Sequence, residues 1–104
     1  MAVTSQVPVK NNTVIVGNGT SSRLNITAAT VIKPVAGRVA RVSVLVAGSA
    51  PGSVNDCITT GAAATANEVF VIPNTTGVYS VDMPTATGIT VVPGTGQTLA
   101  VSYS

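Results

Sequence analysis

Short runs of Val, Ile and Thr, each closed by Gly or Pro, recur along this chain at the close spacing of an all-β domain. Within several runs the large apolar residues fall at every second position. In the segment Thr98–Tyr103, for example, Leu99, Val101 and Tyr103 share one face of an extended chain. This alternation is typical of a half-buried β-strand, so the pattern predicts an all-β fold.

Seven strands are predicted from residue 30 onward: Thr30–Lys33, Val39–Ala47, Ser53–Ile58, Val69–Ile72, Val78–Met83, Ile89–Val92 and Thr98–Tyr103. Most of the prolines lie at the ends of these runs, where the missing N–H costs no ladder hydrogen bond. Val, Thr and Ile make up 40 of the 104 residues, and this composition favours sheet over helix. The spacing predicts a compact antiparallel sandwich or barrel.

Three segments give more local expectations. The longest run, Val39–Ala47, is predicted to be a central strand that is mostly covered on both faces. The segment 94–96, Gly-Thr-Gly, predicts a hairpin turn rather than a phosphate loop, because no helical pattern and no Walker lysine follow it. Residues 61–67 form either one helical turn or a loop that crosses an end of the sandwich.

The chain divides into two regions that differ in their pattern of apolar and polar residues. Residues 1–29 are polar with short apolar stretches, and they predict an extended N-terminal arm with an edge strand. Residues 30–104 carry the regular strand pattern and predict the β-sandwich domain. A length of 104 residues suits one core.

Charge is the most unusual feature of the composition. Charged residues are 8% of the chain, against about 25% in ordinary soluble domains, and the net charge is only +2. A small monomer relies on charge for solubility, so we expect partners to cover part of the surface. The low net charge argues against a nucleic-acid partner. The longest apolar stretch, Val42–Ala47, is too short to span a membrane.

Groups that carry out enzymatic chemistry are scarce. The chain has no His, and Cys57 has no second Cys to share a metal or a disulfide. The carboxylates Asp56, Glu68 and Asp82 show no spacing that would pair them. We therefore expect no enzyme, no catalytic residue, no metal and no cofactor. The first ten residues lack the pattern of a secretory signal, so synthesis in a reducing cytoplasm is expected.

One cluster of like charge contains Lys33, Arg38 and Arg41. A hairpin turn at 35–37 would bring Lys33 and Arg38 together at one edge of a sheet. The charges would then either discourage unwanted strand pairing or contact an acidic partner. Both interpretations stay open at this stage.

The series of strands and turns resembles small structural proteins of tailed bacteriophages. The segments that carry the resemblance are Val31–Val39, Arg41–Val44, Ala47–Ser49, Ile72–Pro73, Gly77–Tyr79 and Gly88–Tyr103. The resembled family consists of capsid decoration, or cement, proteins. The resemblance covers about residues 30–104, is one of pattern and includes no catalytic signature.

The resemblance implies a β-sandwich or jelly-roll body that forms a homotrimer, made in the bacterial cytoplasm and bound to the major capsid protein on the outer surface of the virion. Lys33, Arg38, Arg41 or the arm would contact the capsid. The alternative is a receptor-binding or tail-fibre-tip module, which commonly needs exposed aromatic residues for glycans. The chain offers Phe70, Tyr79 and Tyr103, of which at least two fit core positions. A secreted adhesin is a third possibility, weakened by the missing signal sequence.

Overall fold

A computed structural model describes residues 21–104, which form eight β-strands. They are β1 (Ser21–Ile26), β2 (Thr30–Lys33), β3 (Gly37–Val46), β4 (Gly52–Asn55), β5 (Glu68–Ile72), β6 (Gly77–Thr85), β7 (Ile89–Val92) and β8 (Thr98–Tyr103). Each of the seven strands predicted from the pattern is present, and the bounds of β2, β7 and β8 agree with the prediction. The predicted strand at 53–58 is shorter, because the chain leaves the sheet after Asn55.

The strands form two four-stranded antiparallel sheets that pack face to face. Sheet A has the order β1-β8-β3-β6, and sheet B has the order β2-β7-β4-β5. The chain moves between the sheets at every connection except the one from β4 to β5, which pair with each other. This strand order is that of a jelly roll, so the predicted antiparallel sandwich of jelly-roll type is confirmed.

The core lies between the two sheets and consists almost entirely of branched aliphatic side chains. Sheet A contributes Ile26, Val39, Val42, Val44, Leu99 and Val101, and sheet B contributes Ile32, Val54, Ile72, Ile89 and Val91. Burial of each such side chain stabilises the fold by about 1.5–3 kcal/mol. The interdigitated layer fixes the two sheets against each other, so their outer faces are presented on a rigid body.

The prediction for the longest strand was partly wrong. Between Val39 and Arg41 the pairing of β3 with β6 shifts register, and β6 carries an extra residue there. Asp82, in this irregular stretch, has a positive φ of 50°. Val39 and Ala40 next to this shift are both buried, and Val39 belongs to the core. The opposite face of β3 is open rather than covered, because Arg41 and Leu45 on it are exposed.

Both predictions of a hairpin turn were also wrong. Residues 94–96 connect β7 of sheet B to β8 of sheet A, and residues 34–36 connect β2 of sheet B to β3 of sheet A. A local turn signal cannot distinguish a hairpin from a crossing between sheets. Gly94 is required at the first crossing, since a Cβ there would collide with the backbone carbonyl of Ala50.

The edge strand expected within residues 1–29 is β1, which lies at one edge of sheet A. Two residues of β1 oppose Ala100 of β8, and Asn25 in this irregular stretch has a φ of 54°. The strand begins at Ser21. The arm predicted over residues 1–20 lies outside the described residues.

Candidate docking surface

The outer face of sheet B is covered by a segment of the chain itself. After β4 the loop 56–67 contains two short 3-10 turns, Thr60–Ala62 and Thr65–Asn67. The sequence left a helical turn and a crossing loop as alternatives, and the structure combines them. Thr60 and Thr65 from the loop line a depression together with Ser53 and Val92 from the sheet. The loop therefore lies over this face rather than across an end of the sandwich.

A buried amide network attaches the loop to the sheet. Asn55, at the end of β4, donates from Nδ2 to the carbonyl oxygen of Ala64 and to Oδ1 of Asn67, both at 3.1 Å. Its Oδ1 accepts from the hydroxyl of Ser53 at 2.8 Å. Asn67 in turn donates to the carbonyl of Ala62 at 2.8 Å. Since each buried polar group of Asn55 has a partner, the network stabilises the loop without a desolvation penalty.

Asp56 attaches the start of the same loop to the connection between β6 and β7. Its carboxylate accepts hydrogen bonds from the backbone N–H of Ala86 at 2.9 Å and of Thr87 at 2.8 Å, and from the hydroxyl of Thr87 at 2.7 Å. The backbone N–H of Gly88 also donates to it, at 3.3 Å. The bond from Ala86, followed by those from Thr87, lowers the pKa of Asp56 to about 2. No pattern in the sequence indicates this role of Asp56.

Gln97 closes the opposite end of the sandwich. Its fully buried side chain accepts from the backbone N–H of Gly94 at 2.8 Å and donates to the carbonyl of Pro73 at 3.0 Å. The backbone N–H of Ser49 donates to the carbonyl of Thr95 at 2.8 Å. Three loops at this end are thereby fixed to one another, and the domain is rigid at both ends.

The outer face of sheet A carries no such cover from the loops of residues 21–104. Its centre consists of small side chains: Ser43 on β3 lies opposite Ala100 on β8, and Ser102 on β8 lies opposite Ser22 on β1. Arg41 is paired across the sheet with Ser102 and is exposed. The centre of this face therefore consists of small side chains with the guanidinium of Arg41 beside them.

Large apolar side chains border this small centre. Val78 on the edge strand β6 is opposite Ser43 and is 67% exposed. Leu24 follows Ser22 by two residues on the edge strand β1, so it extends on the same side of the sheet, and it is 66% exposed. Leu45 follows Ser43 in the same way and is exposed.

A shallow trough of about 200 Å³ runs along this surface. The residues that line it are Ser22, Arg41, Ser43, Val78, Ala100, Val101 and Ser102. Most of the lining is hydrocarbon. The face can therefore bury an apolar side chain of a partner while placing a guanidinium beside it.

The three cationic residues predicted from the sequence do not share one surface. Lys33 ends the edge strand β2 of sheet B, with its ammonium against Gly37. Arg38 donates to the carboxylate of Asp82 at 2.8 Å and to the carbonyl of Asp82 at 3.1 Å. Arg41 is on the outer face of sheet A. Since β3 is an inner strand, only Lys33 has the edge position that was expected for the cluster.

The groups considered for chemistry are dispersed through the fold. Cys57 is buried, and its thiol donates to the carbonyl of Thr59 at 3.4 Å. Asp56 caps a loop, and Asp82 pairs with Arg38 in the only ion pair between described residues. Across residues 21–104 no group of three or more Cys, Asp or Glu side chains is placed to hold a metal ion.

The three aromatic side chains are half-buried and pack against the core. Phe70 lies on β5, Tyr79 on β6 and Tyr103 on β8. The sequence indicated core positions for at least two of them, and the structure places all three against the core. Tyr79 also donates from its hydroxyl to the carbonyl of Thr75 at 2.7 Å.

Residues 21–104 contain no helix with the length and apolar content needed to cross a membrane. Comparison of the chain with protein-family models, with curated proteins and with solved structures found no match.

Proposed function

We propose that this protein is a capsid decoration protein, which binds the outer surface of a bacteriophage head and stabilises it. The observation that carries the proposal is that the surface exposes many large apolar side chains and few charged ones. Eight large apolar residues of the described chain are exposed: Leu24, Val35, Leu45, Val46, Ile58, Val71, Val78 and Met83. The whole chain has only eight charged residues. A surface of this kind suits a protein that works while covered by a partner.

The rigid sandwich supports the same proposal. Loops at both ends are fixed by buried or charge-assisted hydrogen bonds, through Gln97 at one end and Asp56 at the other. A rigid body loses little conformational entropy when it docks. In a homotrimer, as the resemblance to cement proteins implies, three modest footprints would act together through their effective concentration. The partner would be the major capsid protein, and the site of action the virion surface.

Lys33, Arg38 and Arg41 are the proposed cationic contacts. Charge reversal of Lys33 and Arg38 together tests the first two, with an unfolding curve as the control. Arg38→Glu also places two carboxylates next to each other at Asp82, so the control must show a folded protein. If a folded double variant binds capsids as well as wild type does, Lys33 and Arg38 are not capsid contacts.

The experiment for the function itself is reconstitution. Purified protein is added to undecorated heads of its own phage, and both bound protein and the temperature of genome release are measured. Saturable binding that raises the release temperature supports a cement role. Saturable binding without that rise would support a decoration protein that does not stabilise the head. No binding would contradict the proposal.

The receptor-binding alternative receives less support. Glycan recognition commonly uses an exposed aromatic platform, and Phe70, Tyr79 and Tyr103 are all half-buried against the core. Binding to defined glycans on an array, with no binding to heads, would favour this alternative over decoration.

A further inference from the structure

We infer that the outer face of sheet A docks onto an apolar site of the shell protein that holds a carboxylate opposite Arg41. The inference rests on the proposed function and deepens it, since it names the docking face and the chemistry of the partner. Any contacts between copies of this chain then use other surfaces.

The composition of the face fits such a contact. Leu24 and Val78 stand on the two edge strands, with Ala100 and Ser43 between them, so apolar walls border a low centre. The trough of about 200 Å³ in this centre accepts one or two aliphatic side chains. Among the described residues that line it, Arg41 is the charged one. Association would bury the walls and bring the guanidinium near a partner group in a partly desolvated setting.

The size and charge of the face argue against a second copy as the occupant. Four strands of six to ten residues cover about 19 by 26 Å in projection, or roughly 500 Å². A stable pair of proteins buries about 800 Å² on each partner, so this face alone is too small for a dimer in solution. Two copies that docked by the same face would also bring Arg41 side chains together. On a shell, where many contacts act together, a small footprint is sufficient.

The outer face of sheet B lacks the corresponding features. The loop 56–67 covers part of it, and the Asn55 network uses the polar groups beneath the loop. Val71, which pairs with Ser53 on this face, is 57% exposed, but the depression on this face is more polar than the trough on sheet A, with hydroxyl, amide and carboxylate groups beside its alanine and valine side chains. This face suits contact with solvent on the outside of a particle.

The test compares a matched pair of variants, Val78→Asp on sheet A and Val71→Asp on sheet B. Both put a carboxylate at an exposed strand position of an outer face, so their effects on folding should be similar. We expect Val78→Asp to weaken binding to undecorated heads by about tenfold or more, because the new carboxylate loses water on docking. Val71→Asp should stay within about twofold of wild type on the same reasoning. Unfolding curves confirm that both variants are folded.

Charge variants of Arg41 test the second part of the inference. Arg41→Glu should weaken head binding by about tenfold and reduce its dependence on salt, and Arg41→Lys should keep most of the affinity. Val71→Asp, which adds a negative charge to the outer face of sheet B, serves as the control and should again stay within about twofold of wild type.

The outcomes separate the docking face from the function. If wild-type protein does not bind heads, the proposed function fails and the partner named here fails with it. If wild type binds and the two Asp variants are affected equally, or Val71→Asp more, only the assignment of the face is overturned. If Val78→Asp, and not Val71→Asp, breaks an oligomer in light scattering, a second copy covers the face and the inference is wrong.

Discussion

The two sheets of this sandwich share one core, but their outer faces differ in what covers them and in the side chains they expose. Sheet B is partly covered by the loop 56–67, whose polar groups form hydrogen bonds with Asn55, Thr90 and the backbone N–H of Ala86. Sheet A shows small side chains, one arginine and exposed aliphatic residues at its edges. Sheet B has a hydrogen-bonded loop on its outer face, whereas the outer face of sheet A shows exposed aliphatic side chains on both edge strands.

This difference teaches where each face contributes free energy. On sheet B the buried polar groups stabilise the fold, so changes there should affect unfolding more than binding. On sheet A the side chains add little to folding, because they already contact solvent. Their apolar area becomes useful only when a partner removes it from water. If sheet A docks as proposed, stability and docking depend on opposite faces of one body.

The largest effect on stability is expected for Asn55→Ala. The substitution removes a buried amide that donates twice and accepts once, and it leaves the carbonyl of Ala64 and Oδ1 of Asn67 short of a donor. The free energy of unfolding should fall by about 3 kcal/mol. Urea unfolding measures the change. A loss close to zero would mean that the loop does not depend on the network.

A smaller loss is expected for Asp56→Asn. The amide replaces one acceptor oxygen by a donor that faces the N–H groups of residues 86 and 87. The free energy of unfolding should therefore fall by about 2 kcal/mol. The wild-type contribution also depends on pH. Because the pKa is lowered to about 2 in the fold, the stabilisation is fully present above the unfolded pKa of about 4 and is lost as the pH falls towards 2.

Acid unfolding of wild type and Asp56→Asn checks the direction of this effect. The difference in unfolding free energy between the two proteins should shrink as the pH falls through this window. A difference that stayed constant down to pH 2 would exclude the Asp56 carboxylate as its source.

The ion pair between Arg38 and Asp82 should contribute less. Both side chains are largely exposed, at 45% and 72%, so Arg38→Ala should cost about 0.5 kcal/mol at low salt. High salt should remove most of the difference from wild type, which urea curves at two ionic strengths would show. A large loss that persists in salt would indicate packing by the arginine stem instead.

The smallest effect on folding is expected on the open face. Ser43→Ala should leave the unfolding free energy within about 0.5 kcal/mol of wild type, since the hydroxyl lies on the outer side of sheet A. The same urea assay measures it. A loss as large as that of Asn55→Ala would contradict the difference between the two faces.

The sequence was most informative where local pattern determines structure. The alternation of apolar and polar residues, together with Gly and Pro at the ends of the runs, predicted the exact bounds of β2, β7 and β8. Each of these strands has one face in the core. Register shifts escaped the pattern, since Asp82 and Asn25 take up an extra residue that no spacing rule reveals. The turns at 35–37 and 94–96 were misread because hairpins and crossings between sheets use similar residues.

The candidate surface was less accessible from the sequence than the fold. Lys33, Arg38 and Arg41 are close in the chain, but β2 and β3 belong to different sheets, so proximity in sequence did not produce one patch. The apolar border of sheet A joins Leu24 to Val78, which are 54 positions apart. Only the strand order brings them onto one face.

Oxidative footprinting of side chains, on free protein and on decorated heads, tests the central claim most directly. Leu24, Val78 and Val71 are exposed to similar extents in the free protein, so their oxidation rates can be compared within one sample. The account predicts that Leu24 and Val78 become protected on the head while Val71 continues to react. Protection of Val71 with continued oxidation of Leu24 and Val78 would contradict it.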